Sequence, residues 1–553
     1  MKHTVALELV DVLRSFGVDA IFGIPGGAIS SMYAALVERP DIRVITAKHE
    51  TNAAFMAMGY SLATGRPGVV LTTAGPGITN ALTGLASAFY EGIPVVHIAG
   101  EVPRSAFGRG ALQEGSPSGF DAVALVRPVT KMATMISRPG PAASVLRKAL
   151  VTAFSGKRGP VFLSLPLDVA SAEIEPQPIH GNVRSSFDID APAARRAIEL
   201  LEAADRPMIL AGAGVRDPTS RRALLRLAEH VGAAVAVTTK GKGVFPEDHP
   251  LYLGLLGFGG HESVREYLEK GVDVLLAAGT GLNDFTTNAW TPTLRASRAF
   301  IQIDIDSAQL GKNYAIDLGL VGPTDAVIGR MLEQRSEDHV PRHVLDTQLR
   351  GEVPEPSPRG MLTTADVALA MNEACPSDAV FTADMGEHLA FGLHYLRVHA
   401  ARDFLTCLGF GSMGSGIVAA IGYQFGAPTR RSYALCGDGG FLMNGTELGT
   451  AVQHKARTTF VIINDSRLNM VHHGMMQVYG RTPDFSWPAI DFAAMARSMG
   501  AIGHRITNRN ELLAGLREIP DGPVVLDVLI DPEVRMRGSS QRNEALRAAR
   551  SDQ

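Results

Sequence analysis

Asp438 and Asn464 each follow an apolar run. The first run, Ser432-Tyr433-Ala434-Leu435-Cys436, stops at Gly437-Asp438-Gly439-Gly440. A helical stretch follows. The second run, Thr459-Phe460-Val461-Ile462-Ile463, stops at Asn464-Asp465. The pattern reads as strand, glycine turn, helix, strand. It sets both side chains on one edge of a parallel sheet, where ligands of open α/β sheets gather. A hard divalent cation takes oxygen ligands, and Mg2+ prefers few protein ligands together with phosphate oxygens. Glycines let backbone approach a phosphate, and the helix N-terminus beyond them favours its charge. Alone, Gly-Asp-Gly is a tight turn. Its pairing with Asn464 across one helix points to a metal-bridged diphosphate.

Three earlier segments share this design. Glu50, in His49-Glu50-Thr51-Asn52, follows the apolar run Arg43–Ala47 and opens a helix of small and apolar residues. Spacing alone reads it as a helix-start glutamate favoured by the macrodipole. The helix beyond is almost free of charge, however, so a carboxylate at its buried end has reason to pair with a ligand nitrogen. Gly75-Pro76-Gly77-Ile78-Thr79-Asn80 is a turn between a buried strand and a helix. Gly23-Ile24-Pro25-Gly26-Gly27 is a similar turn after the first strand. His97 and His388 also fall on strand-end segments, and each reads equally as a satisfied core histidine or a proton-transfer group.

The elements that position these residues form three α/β blocks. Strands alternate with helices throughout, which implies parallel sheets. The blocks span residues 1–175, 185–340 and 360–532, with a polar tail, 533–553, expected to be frayed or a lid. Linkers are expected around Pro176 to Asn182 and in the charged, proline-bearing stretch from Arg335 to Arg359. The chain has 553 residues, too many for one core. Its 46% hydrophobic and 20% charged content suits a globular enzyme. A net charge of −4, from 52 basic and 56 acidic residues, leaves no basic footprint for nucleic acid. Cys375, Cys407 and Cys436 lack metal spacing and suit a reducing compartment. No signal-peptide pattern or apolar run of spanning length is visible, so a cytoplasmic location is expected.

Taken together, these segments resemble the thiamine-diphosphate-dependent 2-keto acid decarboxylases and carboligases, most of all acetolactate synthase. The resemblance covers nearly the whole chain in the order pyrimidine-binding, central and diphosphate-binding domain, and so implies three doubly wound parallel-sheet domains. Gly437-Asp438-Gly439 through Asn464 matches the metal-diphosphate motif. His49-Glu50 matches the helix carrying the catalytic glutamate. Gly-Ile-Pro-Gly-Gly, Gly75-Pro76-Gly77-Ile78-Thr79-Asn80 and Leu112-Gln113-Glu114 match further segments, as does Gly411-Ser412-Met413-Gly414. The resemblance implies that Asp438, Asn464 and the carbonyl of Ser466 hold Mg2+. It implies that Glu50, from a partner subunit, bonds the pyrimidine and that Gln113 meets the intermediate or the acceptor. Gly26, Gly27, Gly75, Pro76, Asn80, His388, Met413, Gly437, Gly439, Gly440 and Met470 would surround the cofactor. A homodimer or homotetramer with shared sites follows, acting on pyruvate or a close 2-keto acid.

Four departures bear on the acceptor and on flavin. Leu112 stands where biosynthetic acetolactate synthases carry Phe. Gly115-Ser116-Pro117-Ser118-Gly119-Phe120 is inserted before Asp121. His472-His473-Gly474 follows Met470-Val471, where the family has an acceptor-selecting Trp. The central block reads Gly279-Thr280-Gly281-Leu282-Asn283-Asp284 where flavin-binding relatives carry an arginine, so an empty or ADP-like central site is expected ahead of FAD. Acetolactate is the leading product. The alternatives are another acceptor (an aldehyde, a sugar ketone or phosphate) or a silent cofactor-binding paralogue, against which the intact Glu50, Asp438 and Asn464 speak. Hydride transfer on a nicotinamide needs a Gly-x-Gly-x-x-Gly fingerprint that the turn at Gly212 lacks.

Overall fold

The computed structural model describes residues 3–176, 187–341, 345–347, 349, 353–399 and 403–536. Most of the first expected linker and the tail beyond Met536 lie outside the described residues. Three six-stranded sheets, all parallel, carry the fold. The first contains β1 (Ala20–Gly23), β2 (Arg43–Thr46), β3 (Gly68–Thr72), β4 (Val95–Glu101), β5 (Met132–Met135) and β6 (Val161–Pro166). The second contains β7 (Pro207–Ala211), β8 (Ala234–Thr238), β9 (Tyr252–Leu256), β10 (Val274–Ala278), β11 (Ala299–Asp304) and β12 (Leu318–Val321). The third contains β13 (Val380–Ala383), β14 (Asp403–Thr406), β15 (Ser432–Gly437), β16 (Thr458–Asn464), β17 (Ile502–Ile506) and β18 (Val524–Leu529).

Central strands such as β3, β7 and β10 are buried along their whole length. Their unbroken runs of Val, Ile, Leu and Ala follow from helices covering both faces of a parallel sheet. The first sheet runs β2-β1-β3-β4-β6-β5 and the third β14-β13-β15-β16-β18-β17, the same order shifted by twelve strands. The second runs β12-β11-β10-β7-β8-β9. Each sheet has a central reversal of order: between β1 and β3, between β7 and β10, and between β13 and β15. Loops diverge at such a reversal and leave a crevice beyond the strand ends.

The first and third sheets meet through equivalent helices. Glu50–Thr64 follows β2, Ser415–Gly426 follows β14, and the two cross in direct contact. A Cβ at Gly59 would meet the carbonyl of Ala419, and one at Gly422 would meet the carbonyl of Met56. The missing side chains let the two backbones touch. One apolar core, including Phe22, Phe55, Ile417, Phe441 and Phe460, runs through both domains. Glu91 ties all three domains together, receiving Lys240 of the second at 3.1 Å and the backbone N–H of Gly409 of the third.

Candidate active site

At the third reversal a cavity of about 130 Å3 opens. The turn after β13 supplies Met385, Gly386, Glu387 and His388, and the turn after β15 supplies Gly437, Asp438, Gly439 and Gly440. Met413, Asp465, Arg467, Met470 and Val471 complete much of the wall. The glycines are dictated by space. A Cβ at Gly439 would lie 3.0 Å from Leu468 and 3.4 Å from the Met413 methyl, and one at Gly437 would lie 3.1 Å from the His388 ring. Met413 is held from behind, its carbonyl accepting Asn444 Nδ2 at 3.0 Å.

Register sets the two oxygen-bearing side chains side by side. Gly437 pairs with Ile463, so Asp438 and Asn464 each stand one residue beyond this pair. Asp438 accepts the N–H of Gly439 through Oδ1 and that of Ser466 through Oδ2, both at 2.7 Å. Asn464 donates Nδ2 to Asp527 Oδ1 at 2.7 Å and to the Ile490 carbonyl at 3.1 Å. Its Oδ1 is thereby turned the other way, with only the Ser466 hydroxyl at 3.4 Å. Ser466 adopts φ +56°, which reverses the chain, and its carbonyl accepts the N–H of Trp487 at 3.0 Å. A second lone pair remains on that oxygen.

Burial, reinforced by Asp465, pushes the Asp438 carboxyl up to about 7. Burial likewise raises Asp465 to about 6 and Asp384 to about 6. A cation would favour the ionised forms and reverse such shifts. Among the described residues no three carboxylate, imidazole or thiolate groups converge on one point. Two side-chain oxygens and a carbonyl supply part of an octahedral shell, which suits Mg2+ completed by phosphate and water.

The surroundings fit an anion. Among the described residues buried Trp487 Nε1, whose ring packs against Gly439, has no partner. Buried N–H groups are normally paired, so an orphan beside the glycine cradle marks a missing acceptor. Burial lowers His388 to about 4, leaving a neutral ring whose one N–H bonds the Asp384 backbone and whose Nε2 is a lone-pair acceptor. His97 differs. It lies within β4, fully buried, at 2.8 Å from Thr72 Oγ1, and burial takes it down to about 3. It is a core residue.

The first-domain candidates gather at their own sheet edge. Glu50 is buried and accepts Asn80 Nδ2 at 2.9 Å, while the Asn80 carbonyl takes the Thr51 hydroxyl. Asn80 therefore aims Glu50. Pro76 opens the helix that carries Asn80. Gly75, at φ +60°, touches Gln113, since a Cβ there would lie 2.8 Å from Gln113 Cβ. Gln113 itself sits at φ +65°. Gly26 packs on Thr73, and a Cβ there would lie 2.6 Å away; Gly27 opens the adjacent short helical turn. No first-domain residue lines the third-domain cavity.

Comparison with known proteins decides what such an arrangement belongs to. Residues 3–125 match the thiamine pyrophosphate enzyme N-terminal TPP binding domain, 194–331 the central domain and 384–528 the C-terminal TPP binding domain. The chain is 32% identical to the probable acetolactate synthase large subunit of Methanocaldococcus jannaschii, over 95% of this chain and 92% of that protein. It is 30% identical to the acetolactate synthase large subunit of Corynebacterium glutamicum, over 97% and 88%. It is also 30% identical to the acetolactate synthase isozyme 2 large subunit of Escherichia coli, over 95% of both chains. The chain belongs to the thiamine pyrophosphate enzymes.

In this thiamine pyrophosphate enzyme, sequence reasoning missed four groups that shape the cavity. Asp384, fully buried, accepts the N–H groups of Gly414 at 2.7 Å and Gly416 at 3.0 Å and so fixes the turn bearing Met413. Glu387, Asp465 and Trp487 stand beside residues that were noticed. Asp465 and Glu387 flank the named candidates directly in the sequence, and that adjacency was the available signal. No helix of the described residues is long and apolar enough to cross a membrane.

Proposed function

We propose that this enzyme decarboxylates pyruvate, or a close 2-keto acid, and joins the retained two-carbon unit to a carbonyl acceptor, with acetolactate as the product. The observation that carries this reading is the pairing of the Asp438–Asn464 edge with full-length similarity to proteins named acetolactate synthase. When bound, thiamine diphosphate supplies the carbon nucleophile for both substrates. The chain holds and orients it. Asp438, Asn464 Oδ1 and the Ser466 carbonyl hold Mg2+. Gly437, Gly439 and Gly440 hold the diphosphate, with His388 lining the same cavity, and Met413 and Met470 brace the apolar middle. Glu50 holds a proton at the pyrimidine, with Gly26, Gly27, Gly75, Pro76 and Asn80 framing that ring. Gln113 faces the acceptor.

The first domain of a second copy completes the site, giving a homodimer or a homotetramer. Two observations support this: the cavity wall lacks first-domain residues, and large apolar side chains stand exposed near both edges, Leu112 and Phe120 on one, Leu442 and Met443 on the other. The domains are those of the sequence reading, 1–175, 185–340 and 360–532. Three buried free cysteines support a cytoplasmic location.

The central domain carries no flavin in this reading. At its reversal the turn after β7 meets the turn after β10 backbone to backbone. Gly214 donates to the Gly279 carbonyl at 3.0 Å, and a Cβ on Gly214 would lie 2.7 Å from Gly279 Cα. These glycines serve the close packing of the two turns against each other. The test is incubation with pyruvate, Mg2+ and thiamine diphosphate, followed by mass spectrometry across a panel of acceptors. Acetolactate is expected. A different ligation product reassigns the acceptor, and absence of any product sinks the reading. A flavin band in the visible spectrum of the purified protein would overturn the central-domain assignment.

A further inference from the structure

The cavity wall holds three carboxylates, Glu387, Asp438 and Asp465, against one guanidinium, Arg467. A diphosphate is itself strongly anionic. Mg2+ accounts for Asp438. Asp465 accepts the backbone N–H of Arg467 at 3.3 Å. The Arg467 side chain is spent elsewhere: Nε and Nη2 bond Asn469 Oδ1 at 3.1 and 2.8 Å, and Nη2 also reaches the Pro532 carbonyl and Glu533, each at 3.3 Å. Glu387 is left facing the anion's cavity, one residue before His388.

Its one close polar partner is His473. Nδ1 of His473 lies 2.8 Å from Glu387 Oε2, and both side chains are largely buried. His473 stands one turn beyond Met470, on the helix Asn469–Tyr479 that covers the cavity. Arg535 fixes it from the far side, donating Nη2 to the His473 carbonyl at 2.6 Å. Nε2 of the ring is buried without a partner. The adjacent His472 points elsewhere, toward Arg467 at 3.3 Å.

We propose that His473 is a positioning residue that binds the Glu387 carboxylate by a hydrogen bond, so that a carboxylate and an anionic cofactor share one wall. Nδ1–H of His473 donates to Glu387 Oε2 and holds that carboxylate in place. This rests on the reading that the diphosphate occupies the Gly437–Gly440 cradle. It makes His473 necessary only because Glu387 is present.

A double-mutant cycle on the dissociation constant of thiamine diphosphate, at fixed Mg2+, tests that dependence. Trp487, packed against Gly439, serves as the fluorescence probe, with calorimetry as a second readout. His473→Gln is expected to weaken binding by roughly tenfold or more. Glu387→Gln is expected to bind as well as the parent or better. The double variant is expected within about threefold of Glu387→Gln. Unchanged binding by His473→Gln, weak binding by Glu387→Gln, or a double variant as weak as His473→Gln each overturns the proposal. If His473→Gln does not fold, the comparison of the double variant with Glu387→Gln decides, because His473 should then be dispensable. A parent that binds no thiamine diphosphate removes the diphosphate reading itself.

Discussion

The first and third domains share one strand order, yet their equivalent crevices have opposite fates. In the third, the turns after β13 and β15 stand apart and leave a cavity lined with carboxylates, glycines and an imidazole. In the first, the turn after β1 folds across its neighbours. A Cβ at Gly26 would strike Thr73, and one at Gly100 of β4 would strike the backbone of Ala28 and Ile29. The crevice is filled by the chain itself, and chemistry moves outward to Glu50 and Gln113. Topology fixes where a ligand can sit, and the turn backbone decides whether there is room.

Changes on the two edges should therefore fail in different ways. The largest effect is expected from Glu50→Gln, with turnover falling by about 10^2- to 10^4-fold while cofactor content stays near that of the parent. Unchanged turnover would remove Glu50 from the site. Asp438→Ala should do the reverse, weakening Mg2+-dependent cofactor retention by roughly 100-fold or more. Equal thiamine diphosphate content after desalting would contradict the assignment of the open edge.

A third difference is in pH dependence. Asp384, Asp438 and Asp465 have folded-state values raised by burial to between about 6 and about 7. The folded state thus binds these protons more tightly than the unfolded chain. The stability this gives is full below about pH 4 and is lost progressively as pH rises from there to the folded values of about 6 to 7. Cofactor-free protein should lose on the order of 3 kcal/mol for Asp384 alone between about pH 4 and about pH 6, and Asp384→Asn should flatten the slope. Denaturant unfolding at several pH values measures it. A stability that rises over the window would refute the account. The smallest effect is expected at the filled edge. Gly75→Ala, at φ +60° and against Gln113, should cost about 1–2 kcal/mol and raise the acceptor KM more than it lowers kcat. A change in cofactor affinity instead would mean that the two edges are not separate.

How much of this was legible beforehand depended on burial. Strands such as β3, β10 and β16 announce themselves as unbroken apolar runs because both faces are covered. Edge strands do not. β5 is only partly buried and β12 alternates exposed with buried residues, so neither forms a run. The pair Asp438 and Asn464 was legible because strand ends are countable. Glu387 was not, since a glutamate at a helix start already has a sufficient reason in the macrodipole. His97 looked like a strand-end group but sits mid-strand, because β4 runs on to Glu101.

The crossing of the Glu50–Thr64 and Ser415–Gly426 helices has a consequence for descent. Neither backbone leaves a gap at Gly59 or Gly422, so neither helix can gain volume alone. A lineage that gains a side chain at either position must shift the two domains relative to each other, because what the new Cβ meets is backbone. Positions 59 and 422 should then both stay glycine among homologous chains, an inheritance shared by two domains whose loops have otherwise diverged.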